Sequence, residues 1–260
     1  MASKTRAART GGEAGEKSGG RGGEGATGLV TFLVGVLIAA YLFFTNPDDK
    51  SPEAYWFINT GLCLWLPLVV ILLVLKSEPS QFGLTRGDRR LGLKWTLIAW
   101  VVMVLLLAVA VSIPSFHTQF QQQYLFGRLS RTLSGVGPVF FNQRVSLKAL
   151  LYYELAMGFY MFCWEFFFRG FLLFGLQKSR LGAWGAVIIQ ALLFALLHWS
   201  YVPGASKPPV EVLSALPGGL ILGVLALRTR SFVYGFFAHW AISLTLDLIL
   251  LAPFIFRHIG

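Results

Sequence analysis

The chain has 260 residues, of which 55% are hydrophobic. Only 13% are charged, against about 25% in soluble domains, and apolar runs of about 20 residues recur along the chain. This excludes an ordinary soluble domain and reads as an all-α polytopic bundle of about seven transmembrane helices, with the lipid bilayer as its first partner. The net charge of +10 does not imply a nucleic-acid partner, because the basic residues lie in the N-terminal tail and the loops, where membrane orientation requires them.

Residues 1–26 are rich in Gly, Ala, Ser, Lys, Arg and Glu, carry no apolar stripe, and read as a disordered basic tail. Residues 27–260 form the membrane domain. Span one is expected over about Thr27–Phe44, closed by Asn46-Pro47-Asp48-Asp49. Span two covers about Ala54–Leu75, with Pro67 as a kink that its neighbours accommodate. A basic segment follows, in which Gln81-Phe82-Gly83-Leu84 reads as a short interfacial element. Span three covers about Trp95–Ile113. The long connection from Ser115 to Ser146 spaces Phe116, Phe120, Tyr124, Leu125 and Leu129 as a half-immersed interfacial helix does.

Span four runs from about Leu147 to Leu176. Span five covers about Leu181–Trp199, and a Pro-rich loop from Tyr201 to Lys207 follows. Span six covers about Val212–Leu227, where Pro217-Gly218-Gly219 permits bending or close packing. Span seven covers about Phe232–Phe256. Alternate loops carry the larger share of Lys and Arg, so the N terminus is expected in the cytoplasm and the C terminus across the membrane. Only Cys63 and Cys163 are present, both in apolar spans, which argues against a disulfide framework.

Few ionisable groups lie inside the spans: Glu165, Arg169, His198, His239 and Asp247. Glu165 and Arg169 stand four apart in Cys163-Trp164-Glu165-Phe166-Phe167-Phe168-Arg169-Gly170-Phe171 and share a helix face. At bilayer depth such a group costs roughly 2.5–3.5 kcal/mol by insertion scales, so the default reading is a functional site. The bland reading is a structural ion pair. His239, Ser243 and Asp247 recur every four residues on one face. Each also has a bland explanation: a lone intramembrane His is often a core hydrogen-bonding residue, and Asp247 can pair with a neighbour or sit near the outer interface. Glu154 and Glu211 read as interfacial, and His117 as part of a surface helix.

At about 1.5 Å of rise per residue, Glu165 lies about 18 Å, His198 about 25 Å and His239 about 11 Å from the cytoplasmic helix ends. These depths scatter around the midplane. A carboxylate with two imidazoles suits water activation. One imidazole can orient the water and the other can donate to a developing oxyanion. The same trio could instead hold zinc, although the local His-Glu-x-x-His spacing is missing.

At these residues the chain resembles the CPBP family, the CAAX-type prenyl endopeptidases and bacteriocin-processing (Abi) intramembrane proteases. That family carries Glu-Glu-x-x-x-Arg, then Phe-x-x-x-His, then His-x-x-x-Asn on successive helices. The counterparts here are Trp164-Glu165-Phe166-Phe167-Phe168-Arg169, Phe194 to His198, and His239 to Ser243, and the likeness spans about 146–250. Trp164 stands where the family has its first Glu, usually the water-activating base, and Ser243 stands where it has Asn.

The resemblance implies a glutamic-type intramembrane endopeptidase without a cofactor. Glu165 takes over water activation, and His198 positions the water or shuttles a proton. His239 with Ser243 stabilises the oxyanion, and Arg169 holds Glu165 and tunes its basicity. It further implies a membrane-associated peptide or protein substrate and a multi-pass protein of the bacterial inner (plasma) membrane. The alternative is a catalytically inactive family member acting as a membrane immunity or partner protein, which Trp164 favours. A proton-coupled transporter is a third class, disfavoured by the lack of an internal repeat.

Overall fold

The structure is a computed structural model that describes residues 12–45, 52–119, 140–141, 144–199 and 209–255. Its architecture is all-helical. Among the described residues, six helices are long and apolar enough to cross a membrane: Gly23–Thr45, Ala54–Val74, Arg89–Val111, Leu147–Leu176, Val212–Thr229 and Val233–Ala252. A shorter apolar helix, Gly182–Leu196, lies between the fourth and fifth of these. Together they correspond to spans one to seven. Besides helices, the described residues hold one antiparallel ribbon, β1 (Phe140–Phe141) and β2 (Arg144–Val145), which pairs Phe140 with Val145 and Phe141 with Arg144.

The helix of span one begins at Gly12, so the tail expected over 1–26 starts outside the described residues and ends within this helix. The interfacial helix expected beyond Gln119 and the loop Tyr201–Lys207 also lie outside them. Of that interfacial set, Phe116 packs partly buried against the core.

Span four is the axis of the bundle. Every residue from Cys163 to Leu176 is buried, as expected of a helix that is apolar all round. Span one packs against it through small residues. A Cβ on Gly35 would run into Leu172, one on Gly28 into Ser179, and one on Gly175 into Thr31. Span two meets span four through an aromatic cluster. The hydroxyls of Tyr55 and Tyr160 hydrogen-bond at 2.9 Å, and Trp56 lies edge-on to Tyr160 at 5.1 Å between centroids. Pro67 does not break span two. The helix passes through π-helical turns at Gly61–Trp65 and Val70–Val74, on either side of the Pro67 turn, which absorb the backbone amide that proline cannot supply.

Spans five and six lie close, as the glycines of span six suggested. A Cβ on Gly219 would sit 3.0 Å from Ala191, and buried Gln190 donates through Nε2 to the carbonyls of Gly219 (2.8 Å) and Val187 (3.0 Å). Span three borders lipid along most of its length, with Leu97, Val101, Leu105 and Val109 exposed. It is tied to span seven by Thr96 Oγ1 donating to the Tyr234 carbonyl (3.1 Å) and Trp100 Nε1 donating to Thr245 Oγ1 (3.0 Å).

In the segment read as interfacial, Gln81 and Leu84 are exposed, while Phe82 and Gly83 are buried and plug into the bundle. Pro79–Phe82 is a single 3-10 turn, and Phe82 is fully buried and stacked on Phe171 at 6.1 Å. Gly83 turns the chain with φ +78. Phe82 is inserted because span four has a hole for it: Gly170 has no side chain to block the Phe82 carbonyl, 3.0 Å from where a Cβ would stand.

Candidate active site

Span four changes character at the sequence landmark. An α-helix runs from Leu147 to Glu165, and the next seven residues, Phe166–Leu172, are π-helical. Such wide turns are rare and gather at functional sites. Glu165 is the last α-helical residue and Arg169 lies inside the π segment. Both are fully buried, and Arg169 Nη1 donates to Glu165 Oε1 at 3.1 Å.

The same carboxylate oxygen accepts a second hydrogen bond, from Nδ1 of His239 in span seven, at 2.9 Å. A carboxylate can only accept, so Nδ1 carries the proton and Nε2 of His239 is the nitrogen with a lone pair. The His239 side chain is 31% exposed although its carboxylate partner is 0% exposed. Glu165 is thus sealed behind the imidazole that it orients. Its Oε2 makes no hydrogen bond among the described residues and faces Gly235, where a Cβ would stand 3.5 Å away.

His198 is held differently. It lies two residues beyond the end of span five, and its Nδ1 donates to the Phe194 carbonyl at 2.8 Å. Span five has 15 helical residues, about 22 Å at 1.5 Å each, which is short of the roughly 30 Å hydrocarbon core. His198 therefore stands at a helix end inside the membrane, a place tolerated where backbone lines protein or water.

Phe194 ties the three groups together. Its ring lies tilted at 4.4 Å from the His198 ring and 6.2 Å edge-on from His239, and the Arg169 guanidinium carbon sits 4.0 Å from its centroid. The face of Phe194 gives the buried guanidinium a cation–π partner, while Arg169 Nε and Nη2 have no hydrogen-bond partner among the described residues.

The structure thus brings Glu165, Arg169 and His239 into one hydrogen-bonded cluster and sets His198 against it through Phe194. Ser243, one turn beyond His239, is half-buried, and its side chain makes no hydrogen bond among the described residues. Asp247 joins neither group. It is buried and accepts from the Tyr153 hydroxyl at 3.2 Å. Glu154, expected at the interface, is buried as well, because the helix turn that carries Tyr153 and Glu154 faces the bundle. The side chains of His117 and Glu211 lie outside the described set. No three His, Cys, Asp or Glu side chains gather in a metal-binding set among the described residues.

Trp164 is buried between Tyr160 (5.6 Å) and Phe168 (5.7 Å), and Phe168 in turn touches Phe194 and the Arg169 guanidinium. Reading the sequence only for ionisable residues overlooked Gln190, which joins spans five and six. A lone amide in an otherwise apolar span was the available signal. Phe194 was read only as part of a motif, and nothing local marks an aromatic ring as the contact between three polar groups.

The fold and this cluster define a multi-pass membrane protein with a buried carboxylate, guanidinium and imidazole at one point of its core. Residues 146–245 match the family model for type II CAAX prenyl endopeptidase, Rce1-like, so this region, with the motif helices of spans four to seven, is similar to the CAAX-type membrane proteases. No curated protein and no solved structure matches the chain.

Proposed function

We propose that the protein is an intramembrane endopeptidase of the glutamic type in which Glu165 works through His239. The observation that carries this reading is the 2.9 Å bond from His239 Nδ1 to Glu165 Oε1. A buried carboxylate that fixes one imidazole nitrogen leaves the other as a base aimed outward, and it stabilises the imidazolium that forms. His239 Nε2 takes a proton from water as the water oxygen attacks the scissile carbonyl. The same nitrogen then returns that proton to the departing amine as the C–N bond breaks. Arg169 pins Glu165. His198, held through Nδ1 at the Phe194 carbonyl, helps to position the water, and the Ser243 hydroxyl donates to the oxyanion. No metal enters these steps.

The substrate is a membrane-associated peptide or protein, with a prenylated C-terminal segment as the family's association. The setting is the bacterial inner membrane with the N terminus in the cytoplasm. Two other readings have an observation each. Glu165 could act on water directly, since its Oε2 is unpaired among the described residues. The protein could be an inactive immunity or partner protein, since Trp164 replaces the family's first Glu.

The test is cleavage of a quenched-fluorescent isoprenylated peptide by purified protein in proteoliposomes, for wild type, Glu165→Gln, His239→Gln and the double variant. Action through His239 predicts that the double variant is no worse than either single one. Undiminished cleavage by Glu165→Gln refutes the assignment. Absence of cleavage by wild type across a peptide panel favours the inactive reading. Loss of wild-type activity to a chelator would return a metal to the scheme.

A further inference from the structure

A second constellation lies outside the peptidase cluster, at the end of the bundle where span three begins. The loop leading into span three is stitched to the turn between spans six and seven. Asp88 N donates to the Thr229 carbonyl (2.8 Å), Ser231 Oγ to the Thr85 carbonyl (2.5 Å) and Tyr234 Oη to the Arg86 carbonyl (2.6 Å). Gly87 at φ +48 sits so close that a Cβ would collide with the Thr229 carbonyl oxygen.

This knot gathers five arginines from two distant parts of the chain: Arg86, Arg89 and Arg90 from the loop and first helical turn, and Arg228 and Arg230 from the turn. All five are exposed, and among the described residues none makes an ion pair. The one acid among them, Asp88, is already used, accepting from Leu91 N at 3.0 Å as the N-cap of span three.

Helix stability accounts for Arg228, in the last turn of its helix where the dipole favours a base, but not for the rest of this charge. Arg89 and Arg90 occupy the first turn of span three, where the helix dipole favours acids over bases. Arg230 holds a left-handed backbone at φ 56, a conformation that costs a non-glycine residue of order 1 kcal/mol or more. The pattern of exposure also points to a level in the membrane. Trp95 is exposed in the second turn of the helix Arg89–Val111, followed by the exposed apolar residues Leu97 and Ile98, the sequence of an interfacial tryptophan followed by lipid-facing wall. The arginines therefore stand at headgroup height beside a helix that borders lipid, and guanidinium groups match phosphate oxygens bidentately.

We propose that this knot is a binding site for the phosphate headgroup of an anionic phospholipid, gripped by Arg86, Arg89, Arg90, Arg228 and Arg230. The site is independent of the peptidase reading and does not need it to hold. Protein extracted from vesicles of equal parts phosphatidylglycerol and phosphatidylcholine is examined by native mass spectrometry for retained lipid. Wild type retains phosphatidylglycerol in preference. Each arginine near an anionic surface contributes about a fivefold factor, so the variant Arg89→Gln/Arg90→Gln/Arg228→Gln/Arg230→Gln lowers that preference at least about tenfold.

A control of equal kind, Lys76→Gln/Arg180→Gln, removes exposed charge elsewhere and leaves the preference within about twofold. Should the glutamine variant fail to insert, replacing the same four arginines with lysine keeps the charge but removes the bidentate fit, and it lowers retention at least about threefold. Unchanged retention in the variant that inserts overturns the site. Equal loss in the control overturns it in favour of diffuse charge. Displacement of the lipid by millimolar inorganic phosphate overturns it in favour of a soluble anion.

Discussion

Removing Glu165 alone and removing it together with Arg169 should have very different effects on stability and the same effect on activity. Arg169 and Glu165 are both 0% exposed and 3.1 Å apart. At an effective dielectric of about 20, unit charges at that distance attract by about 5 kcal/mol. Glu165→Leu abolishes this and strands a buried guanidinium that already lacks partners for Nε and Nη2 among the described residues. The cost of leaving one partner of a buried pair is about 3–5 kcal/mol. Glu165→Leu/Arg169→Met removes both charges, and such apolar replacement of a buried pair is commonly neutral or stabilising. Methionine also fills the space against Phe194. The double variant should therefore melt near wild type in detergent while the single variant melts well below it. Both should lack peptidase activity, because His239 loses the acceptor that fixes its tautomer, and loss of such an acceptor costs about 10⁴ in kcat in a serine protease. The assay pairs thermal unfolding in detergent with peptide cleavage in proteoliposomes. A double variant that is both stable and active would show that Glu165 is structural only, and the catalytic reasoning would fail with it.

Ser243→Ala should lower kcat by about 10²–10³, the usual loss for one oxyanion donor, with KM little changed. An unchanged kcat removes Ser243 from the site. Gly87→Ala should destabilise the fold by about 1–3 kcal/mol, because Gly87 has φ +48 and faces the Thr229 carbonyl. Gly218→Ala, with open space at its Cβ and a helical backbone, should be neutral or stabilising by up to about 1 kcal/mol. Thermal melts of the two variants check the contrast. Lys178 lies just past span four, its ammonium over the Phe82 ring at 4.8 Å. Burial there lowers its pKa from the ordinary 10.5, against an opposing pull from Glu24. The folded state thus sheds this proton before the unfolded state does. Stability should rise slightly with pH as it approaches 10.5, and Lys178→Met should flatten that rise in detergent melts.

The seven spans were legible in the sequence because the length and polarity of an apolar run are local properties, and the bilayer sets a fixed length for them to match. The pairing of Glu165 with Arg169 was legible for the same reason, since four residues along one helix fix a shared face. Depth was legible only coarsely: the axial rise put Glu165 and His239 several ångströms apart in height, yet their side chains meet at 2.9 Å. Rotation about each helix axis, and the level at which one helix meets another, come from contacts between residues far apart in sequence. Gly28, Gly35 and Gly175 seat span one against span four, and Gly219 seats span six against span five. That packing decided that Glu165 reaches His239, that Phe194 stands between His239 and His198, and that Trp164 is buried between Tyr160 and Phe168. The plug at Phe82 was also a tertiary decision. Its sequence is amphipathic enough for an interface, and the close approach of the Phe82 carbonyl to Gly170 in span four lets the ring stack on Phe171, where burying it is worth more than leaving it at the surface.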